Sequence, residues 1–331
     1  MSPSWSRGSA RIPVRSPARG DGHNGGVTKP FTLVQLRYFA AVAETQNMTE
    51  AALRLNVTQS TLSSAIAQLE GEVGASLFVR VPRRGLRLTD AGRRLARELG
   101  PFLEEADRIN ALVAGEADAL EGELRVGLFA PLAPFRAPVI LSAFERSHPR
   151  VHVSFLEGDQ EFVQRALAEG RCDVALMYDI GLEAGFTTHV VERVPPHVIV
   201  HAGHPLAAAA DRLVWLSELA TEPLILLDLP HTREYFLHLF RLAGVEPRIR
   251  HRATGYETVR AFVGKGHGYS VLNQRIHHQL TYVGDRIVPL TLADDLPSIA
   301  VVLVRPDGVR PTRRALAFEE VCLRLYGATR G

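Results

Sequence analysis

Residues Thr49 to Glu70 read TEAALRLNVTQSTLSSAIAQLE, and this stretch decides how the N-terminal third folds. Ala52 and Leu55 share one side of a first helix. The turn Asn56-Val57-Thr58 leads into a second, where Leu62, Ile66, Leu69 and Val73 recur at spacings of four, three and four. That is one buried stripe of an α-helix. At ~100° per residue the same helix turns Ser60, Ser64 and Ala67 outward, with Thr61 and Ser63 flanking them. Thr58 suits the N-cap. Gln59 and Ser60 then fall in the first turn, the part of a recognition helix that meets base edges. Paired helices with a polar turn need not bind nucleic acid, so this segment alone leaves DNA binding open.

The next residues tip the balance. LFVRVPRRGLRLTDAGRR, Leu77 to Arg94, shows hydrophobic alternation on both sides of Arg83-Arg84-Gly85, the pattern of a two-stranded hairpin with a basic tip. Between Arg80 and Arg97 there are seven arginines and one acid, Asp90. A wing of this kind beside a helix-turn-helix lies along phosphates, where guanidinium forks match oxyanion geometry.

The run from Phe31 to Gly92 resembles the winged helix-turn-helix of LysR-type transcriptional regulators. The resemblance is carried by Leu36-Arg37-Tyr38-Phe39, Ala51-Ala52, Thr58-Gln59, Leu62-Ser63, Ile66, Leu69-Glu70, Leu77-Phe78 and Leu88-Thr89-Asp90-Ala91-Gly92. Many positions match in one register, and the rest of the chain fits the family's architecture. Two departures stand out. Ser60 occupies a position where the family usually has proline, and Ser64-Ala65 one where a longer polar or basic pair is common. Fewer long side chains then reach the groove, so a relative's operator preference does not transfer. The groove-facing residues expected are Gln59, Ser60, Thr61, Ser63 and Ser64, with Thr58, Arg83 and Arg84 towards phosphates.

Composition is compatible with this reading without deciding it. At 331 residues the chain has room for two or three compact units. The net charge of +2 matters less than the clustering of its basic residues. Two cysteines, Cys172 and Cys322, make no disulfide framework and suit a reducing cytoplasm as small core residues. No apolar run approaches the ~20 residues that span a bilayer. Residues 1–30 place Arg7, Arg11, Arg15 and Arg19 among Ser, Pro and Gly without a signal-peptide core, and a disordered extension is expected there. Its open readings are a basic arm touching DNA, a dispensable extension, or a start assigned too early.

Residues 31–89 therefore read as the winged helix-turn-helix domain, with the helix-turn-helix itself at 48–67. From 90 to 119 the pattern is one long helix. Leu95, Leu99, Phe102, Ala106, Ile109 and Val113 keep a 4-3-4-3-4 spacing, a seam suited to a second helix. The partner is either the chain's own core or a second copy. A symmetric operator needs two reading heads, and the resemblance implies dimerising linker helices, so a homodimer or homotetramer is expected. Pro101 interrupts the run, which predicts a bend near Gly100.

From residue 121 to 331 the chain alternates strand and helix patterns. The first set is strand Leu124–Phe129, helix Val139–Ser147, strand Val151–Glu157, helix Gln160–Glu169 and strand Asp173–Tyr178. After a crossing near His197 come strand Leu224–Leu227, helix Thr232–Ala243, strand Arg248–Ala253, helix Tyr256–Val263 and strand Tyr269–Asn273. Such alternation points to a largely parallel sheet. The expected partition is lobe I at about 121–196 and 268–331, and lobe II at about 197–267. The whole is α+β and multidomain. The resemblance implies that its C-terminal part is a two-lobed α/β effector domain, built like a periplasmic solute-binding protein.

Ligands in such sheets bind beyond the strands' carboxyl ends. The candidate loops contain Pro131 and Leu132, Asp159, Pro230, His231 and Thr232, and Tyr256. Each leads into a helix N-terminus, which favours a carboxylate or other oxyanion. Asp159 and Thr232 read equally well as ordinary N-caps. His231 stands apart, because capping does not need an imidazole. The resemblance implies that relatives use the positions of Pro131, Leu132, Asp159, Pro230 and His231 around effector. Pro131 departs from the small hydroxyl residue frequent there.

Other signals weigh little. Gly264-Lys265-Gly266-His267-Gly268 follows a helix and precedes a strand, the reverse of a phosphate loop. His197, His201 and His204 lack a carboxylate or cysteine at metal-ligand spacing, so no metal and no cofactor are expected. No Gly-x-Ser-x-Gly elbow is present. The expectation is a cytoplasmic regulator, not an enzyme and not membrane-bound. Its partners would be double-stranded DNA, a small-molecule metabolite effector and itself. The two competing classes, an exported solute-binding protein and an α/β enzyme, lack a signal peptide and a coherent catalytic set respectively.

Overall fold

In the computed structural model of the chain, the described residues are 31–81, 85–113, 120–209, 212–276 and 278–327. The expected extension 1–30, the wing-tip arginines Arg83 and Arg84, and residues 114–119 of the expected linker helix lie outside them.

Three helices open the fold: α1 (Leu33–Thr45), α2 (Met48–Arg54) and α3 (Gln59–Val73). Thr32 and Gln35 form a reciprocal capping box at the start of α1, and Asn47 caps α2 through Thr49 and Glu50 N–H. Asn56 takes a left-handed φ of 54° in the turn, a conformation asparagine tolerates. The strands β1 (Phe78–Val81) and β2 (Gly85–Leu88) pair antiparallel with Phe78 opposite Leu88. Phe39, Val42, Leu62, Ile66, Leu69, Leu77 and Leu88 form the buried core of this unit. Val73, expected in the buried stripe, is exposed at the end of α3, which stops at Gly74 in a left-handed cap.

Helix α4 (Asp90–Val113) runs on through Pro101. Its 24 residues reach about 36 Å at ~1.5 Å per residue. The seam, whose expected partner is either the chain's own core or a second copy, divides. Leu95, Leu99 and Leu103 pack into the N-terminal core, whereas Phe102, Ile109, Leu112 and Val113 stay exposed. Gly92 is required where α4 begins, because a Cβ there would lie 2.1 Å from Leu77 O.

Beyond it come β3 (Gly122–Phe129), α5 (Ala133–Ser147), β4 (Val151–Gly158), α6 (Gln160–Ala168), β5 (Val174–Tyr178) and β6 (Phe186–Val194). The second lobe adds β7 (His197–His201), β8 (Pro223–Leu227), α7 (Thr232–Leu242), β9 (Arg248–Ala253), α8 (Tyr256–Gly264), β10 (Ser270–Leu272) and β11 (Ile287–Thr291). The chain then returns through β12 (Ile299–Pro306) and α9 (Arg313–Tyr326). The first sheet has the order β4-β3-β5-β12-β6, with β3 parallel to β4 and β5, and β12 antiparallel to β5 and β6. In the second lobe β8 and β9 are parallel, while β10 and β11 flank β7 antiparallel.

This topology corrects the expected lobe boundary. Strands β10 and β11 belong to the second lobe, whose core takes Tyr269, Val271, Leu272, Ile287, Val288 and Leu290. The return to the first lobe comes after Leu292, not at 268. Both lobes are anchored by continuous apolar strands, such as Val174–Tyr178, buried at every position as sheets covered on both faces require.

Candidate nucleic-acid interface and effector cleft

The outer face of α3 follows from the packing of its inner one. Leu62, Ile66 and Leu69 are buried, so Gln59, Ser60, Thr61, Ser63 and Ser64 are turned outward, and all five are exposed. Thr58 caps the helix: its Oγ1 accepts from Thr61 N at 3.1 Å and lies 2.9 Å from Ser60 Oγ and 2.8 Å from Thr61 Oγ1. The result is a compact hydroxyl cluster at a helix N-terminus, where free N–H groups and the dipole favour phosphate.

The wing is tied to this helix. Glu70 Oε1 accepts from Leu77 N at 2.6 Å and from Phe78 N at 3.1 Å. Thr89 Oγ1 donates to Ser76 O at 2.6 Å and accepts from Gly92 N at 3.1 Å. The Leu69-Glu70 and Thr89-Asp90-Ala91-Gly92 motifs thus hold strand, helix and wing in one register. Arg80 on β1 is exposed.

The second site is the space between the lobes. Of the residues expected there, Pro131, Asp159 and Tyr256 line one cleft of ≈ 560 Å³. Asp159 also caps α6, with Oδ1 accepting from Phe162 N at 2.8 Å. The other four expected residues do not line it. Leu132 and Thr232 are each 1% exposed, Leu132 within the core of lobe I. Pro230 lies in the turn that directs Thr232 N–H to its carbonyl at 2.8 Å. His231 has a positive φ of 63°, and its ring packs so closely on lobe I that a Cβ at Gly181 would lie 2.1 Å from it. It bridges the lobes instead of facing the cleft, with Nε2 3.9 Å from Glu161 Oε1.

Residues not anticipated complete the cleft. Phe135 of α5 meets Tyr256 of α8 edge to face, with ring centroids 5.2 Å apart. Glu157, Ile276 and Tyr282 also line it. Behind it, buried Gln274 links the lobes: its Nε2 donates to Tyr178 Oη at 3.0 Å, and its carbonyl accepts from Tyr256 Oη. Burial pushes the Tyr178 and Tyr256 hydroxyls well above the ordinary phenol range, so both remain neutral. A separate pocket of ≈ 380 Å³ sits at the crossing strands, lined by Arg136, His197 and Arg275 among others.

The two domains touch. Arg54 Nη2 pairs with Glu123 at 3.0 Å, Gln46 Nε2 donates to Glu169 Oε2 at 3.1 Å, and Arg314 Nη1 lies 3.4 Å from Glu104.

Two family models match the chain. "Bacterial regulatory helix-turn-helix protein, lysR family" covers residues 33–93 and "LysR substrate binding domain" covers 117–326. A "Probable hydrogen peroxide-inducible genes activator" of Mycobacterium leprae (strain TN) is 34% identical over 245 residues, 73% of this chain and 78% of that protein. The "Uncharacterized HTH-type transcriptional regulator YnfL" of Escherichia coli (strain K12) is 35% identical over 250 residues, 72% of this chain and 81% of that one. Among solved structures, HinK, a LysR family transcriptional regulator from Pseudomonas aeruginosa, superposes with a TM-score of 0.62 at 30% identity, covering 90% of this chain and 99% of its own.

Proposed function

The chain belongs to the LysR family of bacterial transcriptional regulators, and from that premise we propose how its own residues do the work. It is a sequence-specific DNA-binding regulator whose operator binding responds to a small molecule held by the C-terminal domain, and it acts with further copies of itself. Residues 31–89 are assigned to DNA reading, 90–119 to the linker helix and 121–331 to effector binding. Gln59, Ser60, Thr61, Ser63 and Ser64 enter the groove, while Thr58, Arg83 and Arg84 meet phosphates. Pro131, Asp159 and Tyr256, joined by Phe135, Glu157 and Tyr282, hold the effector.

One observation carries the reading: α3 buries Leu62, Ile66 and Leu69 and exposes Ser60 and Ser64 on its other side. A helix packed this way has a free face of small hydroxyl side chains, which lets its backbone approach a duplex closely. An electrophoretic shift on DNA upstream of the chain's own gene tests it. Retardation at low salt is expected; no binding at low salt would overturn it.

Effector binding acts by shifting populations. A ligand that prefers one arrangement of the lobes biases the paired reading heads and so the spacing or bend imposed on DNA. The mycobacterial relative is described by a response to hydrogen peroxide, but a thiol sensor does not suit this chain. Cys172 and Cys322 are both buried in the lobe I core, and burial pushes each thiol up to about 12, far from the reactive thiolate range. The signal is therefore read as a bound molecule.

The α/β domain is read as a binder and not an enzyme; turnover of any ligand it takes would contradict that. No helix among the described residues is long and apolar enough to cross a membrane, and action in the cytoplasm follows from the regulatory reading.

A further inference from the structure

The cleft between the lobes has a chemical bias that narrows what it can hold. Aromatic rings reach it from both lobes, Phe135 from α5 and Tyr256 from α8. Tyr282, 84% exposed, stands at its rim. Pro131, Pro134 and Ile276 extend the apolar wall. Three carboxylates line the same space: Glu157, Asp159 and Glu257.

Glu257 is already neutralised, with Oε2 paired to Arg260 Nε at 2.8 Å and Oε1 accepting from Tyr282 N at 2.6 Å. The other two are not. Asp159 uses Oδ1 for the α6 cap and has no cation beside it among the described residues. Glu157 is exposed, and its carboxylate has neither an ion pair nor a hydrogen bond among them. No lysine or arginine occurs among the described residues lining the cleft, whose basic group is the imidazole of His278.

An anion entering here would face two uncompensated carboxylates. Two of the three helix N-termini at the cleft already have their anion, Asp159 at α6 and Glu257 in the first turn of α8, while α5 begins without an acid. A cation instead meets opposite charge and aromatic rings together, and a ring attracts a cation through its quadrupole. The pocket at the crossing strands is of the other kind, bearing Arg136 and Arg275.

The geometry points to an organic cation as the effector of this cleft: an ammonium or amidinium group on an apolar body of about one aromatic ring. The ammonium would sit against Glu157 and Asp159, and the body against the outer side of the Phe135–Tyr256 pair. This rests on the reading of the cleft as the effector site, and it replaces the oxyanion expected from the helix N-termini.

The test uses the full-length protein and three probes of similar shape: phenethylamine, 2-phenylethanol and 3-phenylpropanoate, measured by calorimetry at one pH and salt. The amine is expected to bind about tenfold more tightly than the alcohol, and the carboxylate most weakly. Glu157→Gln combined with Asp159→Asn, which keeps the α6 cap, should weaken the amine about tenfold and leave the alcohol unchanged. The inference is overturned if the carboxylate binds best, if the double variant leaves amine binding intact, or if none of the three binds. Tyr256→Ala separates the two levels. Should it abolish binding of a preferred carboxylate, the cleft stands as the effector site and only the charge assignment falls. Should it leave all binding unchanged, the site itself is misplaced.

Discussion

Asp159 and Glu169 cap the two ends of one nine-residue helix. Asp159 faces the cleft between the lobes. Glu169, only 6% exposed, sits at the contact with the DNA-reading domain. It accepts from Gln46 Nε2 at 3.1 Å, pairs with Arg171 Nε at 2.9 Å and lies 3.8 Å from Arg87 Nη1 of the wing. Helix α6 therefore spans about 14 Å, at ~1.5 Å per residue, from effector cleft to reading head. Its neighbour Gly170 packs so tightly that a Cβ there would lie 3.1 Å from Ala96 O of α4.

Glu169→Ala removes the acceptor shared by both domains. It should destabilise the chain by about 1–3 kcal/mol and speed amide exchange at the end of α1 and along β2, read by hydrogen-exchange mass spectrometry. Unchanged exchange at both segments would show that this contact does not hold the reading head.

His197 begins β7 at the lobe crossing and is buried. Burial, reinforced by repulsion from Arg275 and Arg260, pushes its imidazole down to about 3 from an ordinary 6.5. Below pH 6.5 the unfolded chain takes up a proton that the folded chain refuses until about pH 3. The contribution is therefore complete above pH 6.5 and lost as the pH falls through that window. The melting temperature of His197→Gln should decline less steeply than that of the natural chain between pH 6.5 and pH 4. Parallel declines would contradict the assignment.

Buried thiols predict redox indifference. Native protein should react with a thiol reagent only after unfolding, and treatment with hydrogen peroxide should leave its DNA affinity unchanged. A peroxide-dependent shift in the gel assay, lost in Cys172→Ser or Cys322→Ser, would show that a thiol senses after all.

The DNA-reading half was legible in the sequence because its signals are local. Four-three spacing places Leu62, Ile66 and Leu69 on one side of a turn of helix, and a hydroxyl residue before it supplies the cap. The same rule failed at Val73, where periodicity says nothing about whether a neighbour reaches the last turn. Ten strands and helices of the two lobes were legible for the same local reason, but α5 begins six residues before the expected helix, and β6, β7, β11, β12 and α9 were not among those expected. Lobe membership was not: β10 and β11 join the second lobe by pairing with β7, far away in sequence. The cleft was half legible. Strand-end loops located Pro131, Asp159 and Tyr256, but which side chain of a loop faces the cleft depends on packing. Leu132, His231 and Thr232 turn elsewhere, while Phe135, Glu157 and Tyr282 carried no motif.

Arg83 at the wing tip is expected to touch phosphate and not a base. Arg83→Ala should weaken binding alike on operator and unrelated DNA, and should reduce the slope of log affinity against log salt by about 0.9. Loss confined to one operator base would reassign it to direct readout.

The most direct test of the account asks whether the hydroxyl face of α3 lies on DNA. With Cys172 and Cys322 buried, a cysteine introduced by Ser64→Cys can be labelled selectively with a photoreactive group, and one introduced by Ser147→Cys on exposed α5 surface serves as reference. In the complex with operator DNA, irradiation should crosslink the label at position 64 to the duplex and leave that at 147 free. A complex that forms normally but crosslinks at neither position, or only at 147, would contradict the central claim.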